Sequence, residues 1–350
     1  MAAERTLSER ELNRALLARQ LLLERAKTSL PRALERIGGL QAQYAPSMYV
    51  GLWSRLEGFE REQLTRALER RTVVQGTLMR MTIHLVSKRD YWPFAVAVRQ
   101  ARREAWLKTR APTEREISAA AKSVRRAIGD GAMTSAELDA ALGAREGPIA
   151  VWRNGVGVWV DLVRVPPSGT WDRRRADIYG VAEQWVGPEN VGEADGLAHL
   201  ARRYLGGFGP GTRKDVADYC GVGLAAVDAA LKGMKLRRFR AEDGTELVDL
   251  PRAPLPDPET PAPVRFLPTW DATLLAHARR TGILPEVHRP KVFNVKTPQS
   301  VSTFLVDGGV AGTWKYEKGR VKTEPFGRLG AATRREVKAE ADRLAELHAA

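Results

Sequence analysis

Two stretches of this chain, 78 residues apart, follow one plan. Gly131-Ala132-Met133-Thr134-Ser135-Ala136-Glu137-Leu138 runs on to Leu142-Gly143. Gly209-Pro210-Gly211-Thr212-Arg213-Lys214-Asp215-Val216 runs on to Cys220-Gly221. In both, a threonine is followed three residues on by an acid, the capping-box spacing that starts a helix. Both helices last about two turns and stop at a glycine. A longer amphipathic stretch precedes each, Glu114 to Ile128 and Glu193 to Leu205, and another helical segment and short strands follow. After the second copy, Leu224 to Lys232 reads as a helix. Lys235 to Arg240 and Leu247 to Leu250 read as strands around the turn Glu242-Asp243-Gly244. Helix, short helix, helix and β-hairpin is the winged-helix order. An ordinary helical pair explains any one copy; two matching copies on a basic chain favour a tandem array.

The N-terminal third reads as a more divergent third copy, with helices at about 8–26, 31–42 and 60–70 and a strand from Leu78 to Val86. Six prolines within Pro251–Pro263 predict a stiff connector and a boundary. Beyond it, strands Val301–Val306, Val310–Tyr316 and Arg320–Phe326 meet at Asp307-Gly308-Gly309 and Glu317-Lys318-Gly319, and Ala331 to His348 reads as an amphipathic helix. The expected fold is mainly α with β wings (α+β): three tandem winged-helix motifs, then a β-rich region and a closing helix. The expected units are 1–110, 111–190, 191–252 and 264–350.

Charge narrows the partner. The 350 residues hold 56 Lys and Arg against 42 Asp and Glu, a net +14 spread along most of the chain. A folded, basic protein of this size most often meets nucleic acid, less often an anionic membrane surface. Cys220 is the only cysteine, so disulfides within the chain and zinc-finger ligand sets are excluded. The five histidines, His84, His199, His277, His288 and His348, lack paired ligand spacing, so no metal and no cofactor is expected. Gly206-Gly207-Phe208-Gly209-Pro210-Gly211 lacks the Gly-Lys-Ser/Thr ending of a phosphate loop and follows a helix, so it reads as a turn. With no secretion signal and no apolar run near the roughly 20 residues of a spanning helix, the expected location is cytoplasmic, away from membranes and on the nucleoid when DNA is bound.

Three segments are candidates for chemistry. In Gly38-Gly39-Leu40-Gln41-Ala42-Gln43-Tyr44-Ala45-Pro46, two neutral amides stand two residues apart where an amphipathic helix gives out. Neighbours two apart share a face in an extended strand and oppose one another in a helix. If the chain unwinds near Leu40, both carboxamides can converge on a water; if the helix persists, they cap its end and meet solvent. In Leu78 to Val86, alternation puts Met79, Met81, Ile83 and Leu85 on one face and Arg80, Thr82 and His84 on the other, either lining a site or forming an ordinary surface strand. From His288 to Pro298, basic Arg289, Lys291 and Lys296 flank Phe293, either as a DNA-groove element or as a solvated basic loop.

The chain resembles the AlkZ-like DNA glycosylases, winged-helix proteins marked by Gln, an apolar residue, and Gln (Asp in a sister branch). The resemblance runs through Leu17-Ala18-Arg19-Gln20-Leu21-Leu22-Leu23, Leu40-Gln41-Ala42-Gln43 and Leu52-Trp53-Ser54-Arg55-Leu56. It continues through Thr77 to His84, Arg203-Tyr204-Leu205, Phe266-Leu267-Pro268-Thr269-Trp270-Asp271 and Leu305-Val306-Asp307-Gly308, covering nearly the whole chain. It implies three winged helices in a C-shaped scaffold around double-stranded DNA, acting as a monomer, and excision of alkylated purines. The family's crosslink branch unhooks interstrand crosslinks made by natural-product toxins. Gln41 and Gln43 match the catalytic pair, and Arg289 to Pro298 corresponds loosely to a minor-groove hairpin. Phe293 is a choice made within that stretch.

The chemistry fits neutral amides. Alkylation at N7 or N3 makes a purine cationic, so it leaves as a neutral molecule through an oxocarbenium-like transition state. Positioning one water then supplies much of the help needed. A carboxamide oxygen can accept from that water while its NH2 donates elsewhere. With Gln43 where the sister branch has Asp, poor action on neutral lesions is expected. The competing expectation is a non-catalytic winged-helix regulator, which explains the charge and the repeat but not the paired amides.

Overall fold

The computed structural model describes residues 4–108, 112–145, 147–277, 282–294 and 299–350. Its α+β architecture carries mainly antiparallel sheets between packed helices and ends in the helix Ala331–Ala349. The repeat appears as written. Thr134 and Thr212 each take the backbone N–H three residues on and share reciprocal bonds with Glu137 and Asp215. The helices Ser135–Leu142 and Arg213–Cys220 end at Gly143 and Gly221. Replacing exposed-end Thr134 with Ala is expected to cost about 1 kcal/mol of stability, read as a lowered urea midpoint with an unchanged slope.

Two parts of the N-terminal third differ from expectation. The first helix is Glu9–Arg19 and the second Leu30–Ile37, both shorter than predicted. A further helix, Ala45–Trp53, follows the amides, with Pro46 in its first turn. A proline in a first helical turn forfeits no hydrogen bond, so Pro46 suits the start of this helix. The helix Arg61–Glu69 follows as expected.

The strands of the N-terminal third and of the Gly131 copy do not stay separate. A six-stranded antiparallel sheet runs Leu40–Gln41, Ile83–Ser87, Val73–Thr77, Leu162–Arg164, Ile178–Val181 and Ala132–Thr134 in spatial order. The hairpin that follows Leu224–Lys232, Arg237–Ala241 and Glu246–Asp249, is joined by Thr6–Leu7 in a parallel pairing. The C-terminal meander runs Arg265–Leu267, Thr303–Val306, Gly309–Glu317 and Arg320–Pro325.

Buried ion pairs fasten these parts together. Arg19 forks onto Asp249 at 2.7 and 2.8 Å, and Arg55 onto Asp271 at 2.9 Å twice, with all four side chains fully buried. Arg19 also donates to Pro254 O, and Arg10 and Arg14 donate to Pro258 O and Thr260 O, so the proline-rich connector lies pinned along the first helix. Burial acts to raise the Asp271 pKa, but the Arg55 charge and bonds from Arg55 and Thr273 outweigh it and hold the carboxyl below its ordinary range. Among the described residues no helix is long and apolar enough to cross a membrane.

Candidate active site

The site begins with two glycines. Helix Leu30–Ile37 ends at Gly38 (φ +80°) and Gly39 (φ +84°), left-handed conformations that disfavour a side chain. Space is closed as well: a Cβ on Gly38 would lie 3.1 Å from Phe208, and one on Gly39 3.0 Å from Val86 and 3.1 Å from Leu85 O. Buried Gln20 secures the same turn, its amide donating to Ile37 O at 3.0 Å and Gly207 O at 2.8 Å. The helix therefore unwinds before Leu40, and the chain leaves it as an edge strand.

Leu40 pairs with Leu85 and Gln41 with His84, and the Ala42 N–H continues the pairing by donating to Ile83 O at 2.7 Å. Tyr44 is still extended, with φ −129° and ψ 118°. Alternation along this edge brings Gln41 and Gln43 onto one side, and both reach the same hairpin. Gln41 is buried, and its Oε1 lies 3.4 Å from the Arg80 guanidinium. Gln43 is exposed, and its Oε1 accepts the Ile83 N–H at 2.6 Å. Both amides thus direct an oxygen into the protein, and no hydrogen bond from either NH2 is found among the described residues.

The hairpin is not the single strand that alternation predicts. Met79–Met81 forms a tight turn, with Arg80 at φ +52° and Met81 at φ +57°, and the strand starts only at Ile83. Met79 and Leu85 are buried while Met81 is exposed, so the expected common face does not exist. A non-glycine residue in this region costs of order 1 kcal/mol or more. Tertiary contacts hold it: Arg80 donates to Tyr219 O at 2.7 Å, lies over the Tyr219 ring at 5.1 Å, and packs where a Cβ on Gly221 would fall 3.1 Å from its nitrogen.

Arg80 thus stands beside Gln41. The Thr82 hydroxyl is spent within the turn on Met79 O at 3.1 Å. His84 is buried, and its Nδ1 lies 3.0 Å from Thr82 O; that carbonyl can only accept, which assigns the proton to Nδ1. Burial first, then the Arg80 charge, pushes the His84 pKa down to about 3. The pH consequence follows in sign. The unfolded chain takes up a proton on this imidazole near pH 6.5, whereas the fold excludes it until about pH 3. Stability from this group is therefore intact above pH 6.5 and falls as pH drops through the interval. The single-turnover rate is expected to show no His84 ionisation between about pH 5 and 8. A pH–rate step near 6.5 that vanishes in His84→Asn would reverse this assignment.

Tyr219 was not visible as a site residue in the sequence. Besides holding Arg80, its hydroxyl donates to Gly38 O at 2.8 Å, so one residue of the helix Arg213–Cys220 braces both the glycine turn and the hairpin. Nothing in its local pattern distinguishes it from a core aromatic of a short helix.

The basic segment lies elsewhere. Arg289 and Lys291 are exposed on the short helix Arg289–Val292, Arg289 near Glu286 at 3.6 Å and Lys291 over the Phe326 ring at 4.9 Å. Neither shares a hydrogen bond or ion pair with the glutamines. Phe293–Asn294 pairs antiparallel with Gln299–Ser300, and Phe293 is half-buried against the core. Lys296 lies outside the described residues.

Comparison with known proteins gives this arrangement its context. The profile described as DNA glycosylase AlkZ-like matches residues 34–347. The chain belongs to the AlkZ-like DNA glycosylase family. No curated protein sequence matches it significantly. Among solved structures, the Streptomyces sahachiroi DNA glycosylase AlkZ superposes with a TM-score of 0.82 at 18% identity, covering 98% of this chain and 97% of that one. As an AlkZ-like DNA glycosylase, the protein is an enzyme of DNA repair, and DNA is the partner that its +14 charge addresses.

Proposed function

We propose that this enzyme hydrolyses the N-glycosidic bond of cationic N7- or N3-alkylated purines in double-stranded DNA, bulky adducts and toxin-derived interstrand crosslinks included, with Gln41 and Gln43 placing the attacking water. The observation that carries the reading is the pair of amides on one strand edge in a hydrogen-bond network of Arg80, Ile83, Thr82, His84 and Tyr219 that contains no carboxylate. Such a network can orient a water but supplies no anion to a developing sugar cation.

Each carboxamide oxygen keeps a second lone pair after its protein contact. The long Arg80 contact leaves Gln41 the freer acceptor for a water proton. Gln43, anchored by Ile83, turns its NH2 outward and can hold the water oxygen. Arg80 does not oppose the reaction, because the positive charge only moves from purine to sugar as the bond breaks, and the total facing the guanidinium is constant. The enzyme would work as a monomer without metal or cofactor. It would place winged helices at 1–110, 111–190 and 191–252 and the β-rich unit at 264–350 around the duplex, in the cytoplasm and on the nucleoid. Arg289 and Lys291 suit phosphate contacts in this arrangement, and the toxin branch would connect it with self-resistance. Family membership favours the enzyme over a non-catalytic regulator. The test is incubation with a duplex carrying N7-alkylguanine followed by heat or alkali; absence of abasic-site cleavage would remove the lesion assignment.

A further inference from the structure

The turn that carries Arg80 is built from residues that do not suit its shape. Thr82 N–H donates to Met79 O at 3.1 Å around two central residues of positive φ, Arg80 at +52° and Met81 at +57°. Local chemistry fills tight hairpin turns of this kind with Asn-Gly. Arg-Met holds both positions here at a cost in stability. Such local rules are broken where a side chain is needed for something else.

Both amino groups of the Arg80 guanidinium are engaged, each with a different partner. One donates to Tyr219 O at 2.7 Å, a carbonyl in the last turn of the helix Arg213–Cys220, where a cation is favoured. The other faces Gln41 Oε1 at 3.4 Å. Gln41 is only 6% exposed, and Arg80 is the one hydrogen-bond partner of its side chain among the described residues. A carboxamide fits its space either way round, with an acceptor at one end and a donor at the other. A guanidinium donates and never accepts, so it admits the oxygen and repels the NH2. The contact is long, and it selects an orientation while leaving the oxygen a lone pair to use. Gln43 has its own selector in the Ile83 N–H.

Given that Gln41 places the attacking water, we infer that Arg80 is a positioning residue: by selecting the oxygen end of the Gln41 amide it fixes the acceptor that the water meets. The helix Arg213–Cys220 holds the guanidinium in place through Tyr219 O, so a carbonyl 178 residues along the chain sets the direction of the amide. Arg80 then acts on rate through Gln41 and not on affinity through phosphate.

A double-variant cycle tests this, using single-turnover excision of N7-methylguanine from a duplex at rising enzyme concentration. Arg80→Asn supplies a residue that the turn prefers, so the urea midpoint should not fall. The limiting rate should drop about tenfold, a partial loss of what fixed geometry supplies. The half-saturating enzyme concentration should stay within about twofold, because no phosphate contact is lost. In a Gln41→Ala background the same substitution should change the rate by less than about twofold, since residues that act as a unit do not add. If Arg80→Asn does not fold, Arg80→Lys carries the cycle, one ammonium replacing two amino groups that serve separate partners.

Losses that multiply would place the action of Arg80 elsewhere. A changed half-saturating concentration at an unchanged limiting rate would make it a phosphate contact, and wild-type behaviour would make it a turn residue only. Each of these overturns the inference. The side-chain NH2 signals of Gln41 in nitrogen-15 spectra, assigned by their loss in Gln41→Ala, read the orientation without substrate. One sharp pair in the wild type and a broadened or doubled pair in Arg80→Asn are expected, with those of buried Gln75, held by Gly169 O, unchanged. Gln41 signals that do not respond overturn the inference. Gln41→Ala at wild-type rate removes the proposed site and this role together; a slow Gln41→Ala beside a fast Arg80→Asn removes this role alone. A wild type that shows the Arg80-dependent amide signals yet releases no N7-methylguanine keeps the orientation of Gln41 by Arg80 and removes the lesion assignment.

Discussion

Gln41→Ala and Gln43→Ala are each expected to lower the single-turnover rate of alkylpurine excision by tenfold or more, about 1.4 kcal/mol of barrier or greater, while affinity for undamaged duplex should barely change. The separation of the two effects is the point. Binding to DNA draws mainly on cations meeting phosphates, and neither amide carries charge. The contacts also rank the pair. Gln41 is buried and held only loosely by Arg80, so its truncation removes the freer water acceptor and leaves a guanidinium facing the gap. Gln43 is exposed and anchored at 2.6 Å to the Ile83 N–H, which water can satisfy after truncation. Gln41→Ala should therefore be the more damaging to rate, and Gln43→Ala nearly neutral for stability. Two variants at wild-type rate in single-turnover assays would move the site away from these glutamines.

Wild-type enzyme is expected to release cationic N7- or N3-alkylpurines and to leave uracil and hypoxanthine intact within detection. Neutral amides orient water without stabilising a sugar cation through charge, so the substrate must bring a leaving group already weakened by its own positive charge. Gln43→Asp places an anion beside the sugar. A carboxylate is still an acceptor, so the Ile83 N–H keeps a compatible partner type. This variant should retain activity on cationic lesions and extend to neutral ones, whereas Gln43→Ala should do neither. One panel of lesion-bearing duplexes and three proteins make the comparison. Rapid release of uracil by the wild type would show that substrate activation is not what this site depends on.

The capping boxes at Thr134 and Thr212, the glycine stops at Gly143 and Gly221, the helices Glu114–Ile128 and Leu224–Lys232 and the C-terminal meander follow from local chemistry, and the sequence by itself determined them. It also offered the amide pair, though only as a choice between helix and strand, because Gly38-Gly39 weakens a helix without saying where the chain goes next. Tertiary structure made that choice: Phe208 and Val86 leave no room for side chains at the two glycines, and an edge position beside Ile83–Ser87 was open to pair with. The same holds for Arg80. Period-two alternation reads through residues 78–82 as strand, since it registers hydrophobicity and not φ. The positive φ at Arg80 and Met81 persists because Tyr219, 139 residues away, accepts the guanidinium. The merging of two hairpins into one six-stranded sheet and the pairing of Thr6–Leu7 with the strand Arg237–Ala241 are likewise long-range outcomes. Caps, turns and periodicities are interactions of a residue with its near neighbours and are legible in one dimension; which edges meet, and which strained turns are held, depends on contacts that exist only once the distant elements have packed.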